Sequence, residues 1–219
     1  MQIGAGLTIF TVSKIRTMKK IYPVFFFVFI LVFQARAQDR FMRDMASGGH
    51  ETGANQIRIG YGIVSMPQFI EHSGNGTSAG MIPVSYKDIT SRTTGAIALS
   101  YTRDNFALIA FGGDLVYENL QSTYTYNDGS AATLSTRYMS AMLRADIRYI
   151  NTEKLLLYSS VGAGTCMTQA SFDGQTKNQW LPAFHVTGIG FRYGNTVAFF
   201  GEFGFGYRGI ANGGISFRF

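Results

Sequence analysis

From Asn55 onward, apolar side chains recur at every second position. In Asn55–Ser65, Ile57, Ile59, Tyr61 and Ile63 alternate with Gln56, Arg58, Gly60 and Gly62. A period of two belongs to a strand whose two faces meet different surroundings. The pattern returns in Thr94–Thr102, in Phe106–Asn119, and in Arg137–Tyr149, where Met139, Ala141, Leu143, Ala145, Ile147 and Tyr149 oppose Arg144, Asp146 and Arg148. Leu155–Met167 is apolar and broken by glycines, without a clear parity. Leu181–Tyr193, Thr196–Tyr207 and Ile210–Phe219 complete about eight strands. Each is close to the ~9–11 residues that cross a bilayer at a tilt.

The connections alternate in length. Met66–Thr93 is long, Arg103–Asn105 short, Leu120–Thr136 long, Ile150–Lys154 short, Thr168–Trp180 of medium length and Gly194–Asn195 short. Short turns on one side and longer loops on the other are the rhythm of a transmembrane β-barrel. Arg208–Gly209 is the exception, a very short turn on the long-loop side. Charged residues are 15% of the chain, below the ~25% usual for soluble domains. The expected fold is therefore all-β, a transmembrane antiparallel up-and-down barrel over residues 55–219.

Residues 1–37 read differently. Met18-Lys19-Lys20 is a basic start, Ile21–Phe33 is apolar, and Ala35-Arg36-Ala37 is a small-x-small site before Gln38. That is a cleaved secretory leader, too short to span as a helix. Residues 1–17 precede it and are expected to carry no fold; residues 38–54 form a polar periplasmic segment. Removing the leader leaves 14 basic against 13 acidic residues. The high isoelectric point thus belongs mostly to the leader, and nucleic acid is not an expected partner. Cys166 is the sole cysteine, far from the cleavage site, so neither an internal disulfide nor an acylated N-terminus is expected. No Cys/His cluster points to a metal, and no cofactor is expected.

The chain closes on NGGISFRF. Asn212, Gly214 and the alternating Phe217 and Phe219 resemble the C-terminal assembly signal of bacterial outer-membrane barrels. The resemblance implies recognition by the barrel-assembly machinery and contact with outer-membrane lipids. The whole stretch from Gln38 to Phe219 resembles small barrels of the OmpA/OmpX type. That superfamily includes adhesins, structural barrels and lipid-modifying enzymes, so fold alone does not assign a role.

Few residues suggest chemistry. Phe184-His185-Val186-Thr187 resembles the His-x-Ser pair of lipid A deacylases, with Thr in place of Ser. The odd parity of Ile189 and Phe191, carried back along the strand, puts His185 and Thr187 on the lipid side, away from Glu202. His72 and Asp88 share the first long connection and read as loop polarity. Asn75-Gly76-Thr77 reads as a turn. Tyr61, Tyr86, Tyr101, Tyr149, Tyr193 and Tyr207 sit near strand ends, where they suit interfacial girdles, and Tyr117, Tyr124 and Tyr126 gather at the second long connection.

Parity also assigns an inward set: Arg58, Asp114, Glu118, Arg144, Asp146, Arg148, Arg192, Glu202 and Arg218. In a barrel of about eight strands the interior is only wide enough for side chains. The expected role is non-enzymatic, structural or surface-interacting, with a closed lumen. A surface receptor or adhesin and a lipid A-modifying hydrolase are the alternatives. N-terminal sequencing of the membrane-fraction protein is expected to begin at Gln38. Deletion of Phe219 is expected to lower the protease-resistant, assembled barrel without blocking export. A retained Met18 or undiminished assembly would contradict these two assignments in turn.

Overall fold

The computed structural model describes residues 54–72, 87–104 and 108–219, all within one compact unit, His50–Phe219. The leader, nearly all of the 38–54 segment, Tyr86 and Asn75-Gly76-Thr77 lie outside the described residues. The elements are β1 (Asn55–Ile63), α1 (Met66–His72), β2 (Asp88–Thr93), β3 (Ala96–Arg103), β4 (Ile109–Thr125), β5 (Ala131–Asn151), β6 (Leu155–Phe172), β7 (Gln175–Gly194), β8 (Val197–Gly206) and β9 (Ala211–Arg218).

Every pairing is antiparallel, and the sheet closes on itself. β1 pairs β3 on one side and β9 on the other, so the first strand is joined to the last. β4 pairs both β3 and β5, which completes the ring. β2 and β3 lie end to end along β4, separated by Thr94-Gly95, so nine strands form eight walls. At the seam the backbone N–H of Asn55 donates to the Phe219 carbonyl at 2.7 Å, and the N–H of Phe219 donates back at 2.9 Å. Closure leaves the barrel with no unpaired edge in hydrocarbon, where an unmet backbone group costs several kcal/mol.

The polarity is inside out. Ile59, Leu99, Leu115, Leu143, Val161, Phe191 and Phe203 are exposed, whereas Arg58, Arg144, Asp146, Arg192 and Glu202 are buried. One outward row runs Ile97–Tyr117–Met139–Met167–Trp180 across four consecutive pairings. The row above it is polar throughout, Asn119–Arg137–Gln169–Asn178. This change marks one membrane boundary. From Met139 down to Tyr149, ten steps of β5 rise about 33 Å along the strand, or roughly 25 Å across the bilayer at a tilt near 40°.

Above that boundary the chain stays paired, which corrects the reading of Leu120–Thr136 and Thr168–Trp180 as loops. β4 and β5 continue as a hairpin to a turn where Tyr126 N–H donates to the Ser130 carbonyl. β6 and β7 continue to a turn at Asp173-Gly174, both with positive φ. β2 adds its six residues to the β4 edge. The first long connection therefore holds a helix and a strand. These extensions escaped the period-two signal because outside lipid neither face must be apolar. Their Thr and Ser residues are strand-compatible but do not alternate in hydropathy.

Two side-chain assignments also change. Tyr207 and Tyr124 are buried inside, while Tyr61, Tyr101, Tyr117 and Tyr193 do face outward. More consequentially, β7 carries a β-bulge. Pairing with β8 steps from Thr187 to Ile189 against Gly204 and Phe203, and pairing with β6 is displaced at the same place. The hydroxyl of Ser159 donates to the Gly188 carbonyl at 2.5 Å, satisfying the bulged backbone. A bulge inverts parity beyond it. Leu143 is 80% exposed while its neighbour Arg144 is buried. Leu143→Arg is accordingly expected to cost about 2–4 kcal/mol on folding into lipid vesicles. Tolerance equal to that of Arg144→Lys would contradict the inside–outside assignment.

Candidate functional site

Among the described residues, the lumen gathers the charged side chains. At its centre Arg58 on β1, Arg144 and Asp146 on β5, Tyr158 on β6, Glu202 on β8 and Asp114 on β4 converge. Arg58 Nη2 donates to Asp146 Oδ2 at 2.7 Å, and Arg58 Nη1 reaches Glu202 Oε1 at 3.3 Å. Arg144 donates from Nη2 to the same Glu202 oxygen at 2.7 Å and from Nε to Asp146. Its Nη1 lies 3.6 Å from Asp114. Tyr158 donates its hydroxyl to Glu202 Oε1 at 2.6 Å and accepts from Arg58 at 3.1 Å, while the Arg58 guanidinium stands 4.7 Å from the Tyr158 ring centre. Gly190 makes room for that ring, since a Cβ there would come within 2.6 Å of it.

A further cation comes from the β8–β9 turn. Arg208 is fully buried, pairs with Glu202 Oε2 at 2.6 Å and lies 3.6 Å from Asp114 Oδ2. The turn folds inward because its backbone is held on two sides. Tyr207 N–H donates to the Phe184 carbonyl and Ile210 N–H to the Ile63 carbonyl. Gly62 is required here, as a Cβ would overlap the Arg208 carbonyl at 1.9 Å.

Every sequence-assigned inward residue lies on the lumen face. Arg58, Asp114, Arg144, Asp146 and Glu202 form the central cluster. Arg148 lies nearer the end that holds Asn55 and Phe219, where it donates to Asp104. Arg192 is at that same end, donating from Nε to Ser216 at 2.8 Å, from Nη1 to the Gly194 carbonyl at 2.8 Å and from Nη2 to the Asn195 carbonyl. Arg218 is half-buried there. Glu118 stands at the opposite end, accepting from Ser65, from Gln68 at 2.7 Å and from Thr93 at 2.8 Å. Between it and the central cluster lies an apolar layer of Ala98, Val116, Met142, Cys166 and Tyr207, with Met66 packed on it. Tyr138 donates to Glu71 at 2.7 Å, which with the Gln68 bond ties α1 to the lumen faces of β4 and β5.

His185 and Thr187 correct the lipid-side expectation. Both are buried in the lumen, because the Gly188 bulge separates their parity from that of Ile189 and Phe191. Glu202 thus shares their compartment. The three are not wired as a hydrolytic set: His185 Nδ1 accepts the Arg208 backbone N–H at 3.3 Å, and Thr187 is bonded to Ser160 at 2.9 Å. Glu202 is held by cations. His72 ends α1 and Asp88 begins β2, where its carboxylate accepts the Ile89 N–H. Among the described residues no group of His, Cys, Asp and Glu is placed to hold a metal.

Sequence reading missed Arg208, Asp104 and Tyr158. Arg208 sat in a turn, where period-two logic does not apply. Tyr158 lay in the strand of unclear parity, and only Asp104's place at the end of a strand hinted at the lumen.

Eight closed antiparallel walls with apolar exteriors and a charged interior define a transmembrane β-barrel, with the architecture of small outer-membrane barrels of the OmpA/OmpX type. Among solved structures the chain is similar to the N-terminal β-barrel domain of Pseudomonas aeruginosa OprF. That match has 14% identity and a TM-score of 0.41, covering 78% of this chain and 100% of that one. It is also similar to Ail, the attachment invasion locus protein of Yersinia pestis, at 16% identity and a TM-score of 0.38, covering 77% of this chain and 100% of that one. No protein-family model matches the chain, and no curated protein does.

Glu202 binds Arg58, Arg144, Arg208 and Tyr158 at once. Removing one partner of a buried ion cluster leaves the others uncompensated, at a cost of about 3–5 kcal/mol. Glu202→Ala is therefore expected to lower the unfolding midpoint markedly, and Arg92→Ala, exposed on β2, to leave it in place. Equal midpoints in urea would refute the shared role of Glu202.

Proposed function

We propose that this is a non-enzymatic barrel of the bacterial outer membrane, closed to ions, that acts through the paired sheet rising above its mouth. The observation that carries the reading is the continuation of β2, β4, β5, β6 and β7 beyond the Tyr117–Met139–Met167–Trp180 row. A strand needs no such length to cross lipid. The extension is structured by its own inward cluster, Tyr124, Leu134 and Ala170 with Phe172 against it. An ordered sheet presents a surface at lower entropic cost than a mobile loop.

The closed lumen supports the same reading. Charges of both signs fill the interior, and an apolar layer with α1 held against it stands above them. A channel would leave its charged wall wet, whereas these side chains are buried against one another. Export by the leader and insertion through Asn212, Gly214, Phe217 and Phe219 complete the proposal, with outer-membrane lipids and the barrel-assembly machinery as partners.

Asn119 and Arg137 pair across β4 and β5, so a two-residue turn between them can replace the hairpin beyond. This variant is expected to fold and resist protease as the parent does, while cells displaying it lose adherence to host or envelope surfaces. Parent protein in planar bilayers is expected to give no steady porin-sized current. Adherence unchanged by the shortened hairpin, or a steady parent current, would overturn the surface and closed-lumen parts respectively.

A further inference from the structure

The lumen charges are sorted by height. The central guanidiniums Arg58, Arg144 and Arg208 are matched by Asp114, Asp146 and Glu202. Toward the end where Asn55 and Phe219 pair the pattern changes: among the described lumen-facing side chains, Arg148 and Arg192 lie there, Arg148 pairs with Asp104, and Arg192 forms no ion pair. Each of the three side-chain nitrogens of Arg192 donates to a neutral oxygen, which leaves its charge. The Arg148 side chain is 1% exposed and gives one N–H to Asp104. Its Nε and Nη1 have no partner among the described residues, and neither has the hydroxyl of Thr102, on the same face of β3 as Asp104.

We propose that this end of the lumen is an anion-binding well, centred on Arg148 and Arg192, for a small oxyanion of the phosphate or carboxylate class. A buried cation with unmet donors in a low-dielectric interior is costly, and an anion that accepts from it removes both costs. An anion with several acceptor oxygens can accept from one guanidinium edge and from a second donor together, which a halide does less well. Half-buried Arg218 stands at the way in. The central ion cluster closes the way up, so the ligand binds and does not pass. This site is independent of the projecting sheet and of the surface role proposed for it.

The test uses the folded mature chain in detergent micelles at constant ionic strength set with sodium chloride. Inorganic phosphate, and acetate in a parallel series, is titrated while the thermal midpoint is followed. The expected result is a saturable rise with at least one of the two in the parent and in Arg92→Gln. In Arg148→Gln, which loses a charge-assisted contact, the apparent affinity is expected to fall about tenfold or more. If Arg148→Gln does not fold, phosphorus NMR line broadening of phosphate by the parent, competed by acetate, decides in its place. No stabilisation beyond that of chloride, a midpoint that rises without saturating, or an Arg148→Gln titration equal to the parent's would each overturn the proposal and leave water as the partner of Arg148.

Discussion

Everything in this molecule follows from the need to pair backbone groups where there is no water. A sheet in lipid must close, and here closure is the joining of β1 to β9, from Gln56 opposite Arg218 to Ile63 opposite Ala211. Once eight walls close, the interior radius is set, and it admits side chains and little else. The outside must then be apolar and the inside receives whatever the alternate positions carry. Because those positions carry arginine and carboxylate, the barrel's centre is an ion cluster.

That cluster is a demanding way to fill a small space. Taking each charge from water costs several kcal/mol, and mutual attraction returns it only when the geometry is good and the remaining donors are met. The structure meets the condition unevenly. Glu202 accepts from two guanidiniums and a phenol and forms an ion pair with a third guanidinium, that of Arg208, and Gly190 gives up its side chain so that the Tyr158 ring can reach it. At the lower end Arg192 instead donates to neutral oxygens, the Ser216 hydroxyl and the Gly194 and Asn195 carbonyls. The ion pairing of the lumen is therefore densest at its centre.

Much of this was legible in the alternation. The strand count, the inside–outside assignment of Arg58, Arg144, Asp146 and Glu202, and the side on which the short turns lie all follow from period two and spacing. Two kinds of residue were hidden. Arg208 enters the lumen from a turn, where no periodicity reports direction. Counting back from Ile189 puts His185 and Thr187 on the lipid side, and the bulge at Gly188 breaks the count. A glycine inside a strand is a known mark of such a bulge, so the signal was present, but Gly190 two residues on sits in regular pairing and exists for the Tyr158 ring. Sequence shows both glycines alike; only the register separates them.

Register also explains why an interior of ions persists where apolar residues would pack more cheaply. Sliding β1 by one residue against its neighbours would turn Ile59 inward and Arg58 into lipid, an error the hydrophobic effect alone prevents. Sliding it by two preserves the faces, and apolar burial scarcely distinguishes the two alignments. What differs is Arg58. In the observed register it meets Asp146 from β5 and Glu202 from β8 together, three walls and two walls away around the ring. A two-residue slip moves its Cα by about 6–7 Å along the strand, which is enough to lose both partners and strand a buried cation. The penalty for an unpaired charge that makes the cluster an inefficient source of stability is thus what makes it an effective device for alignment, acting across strands that share no backbone hydrogen bond.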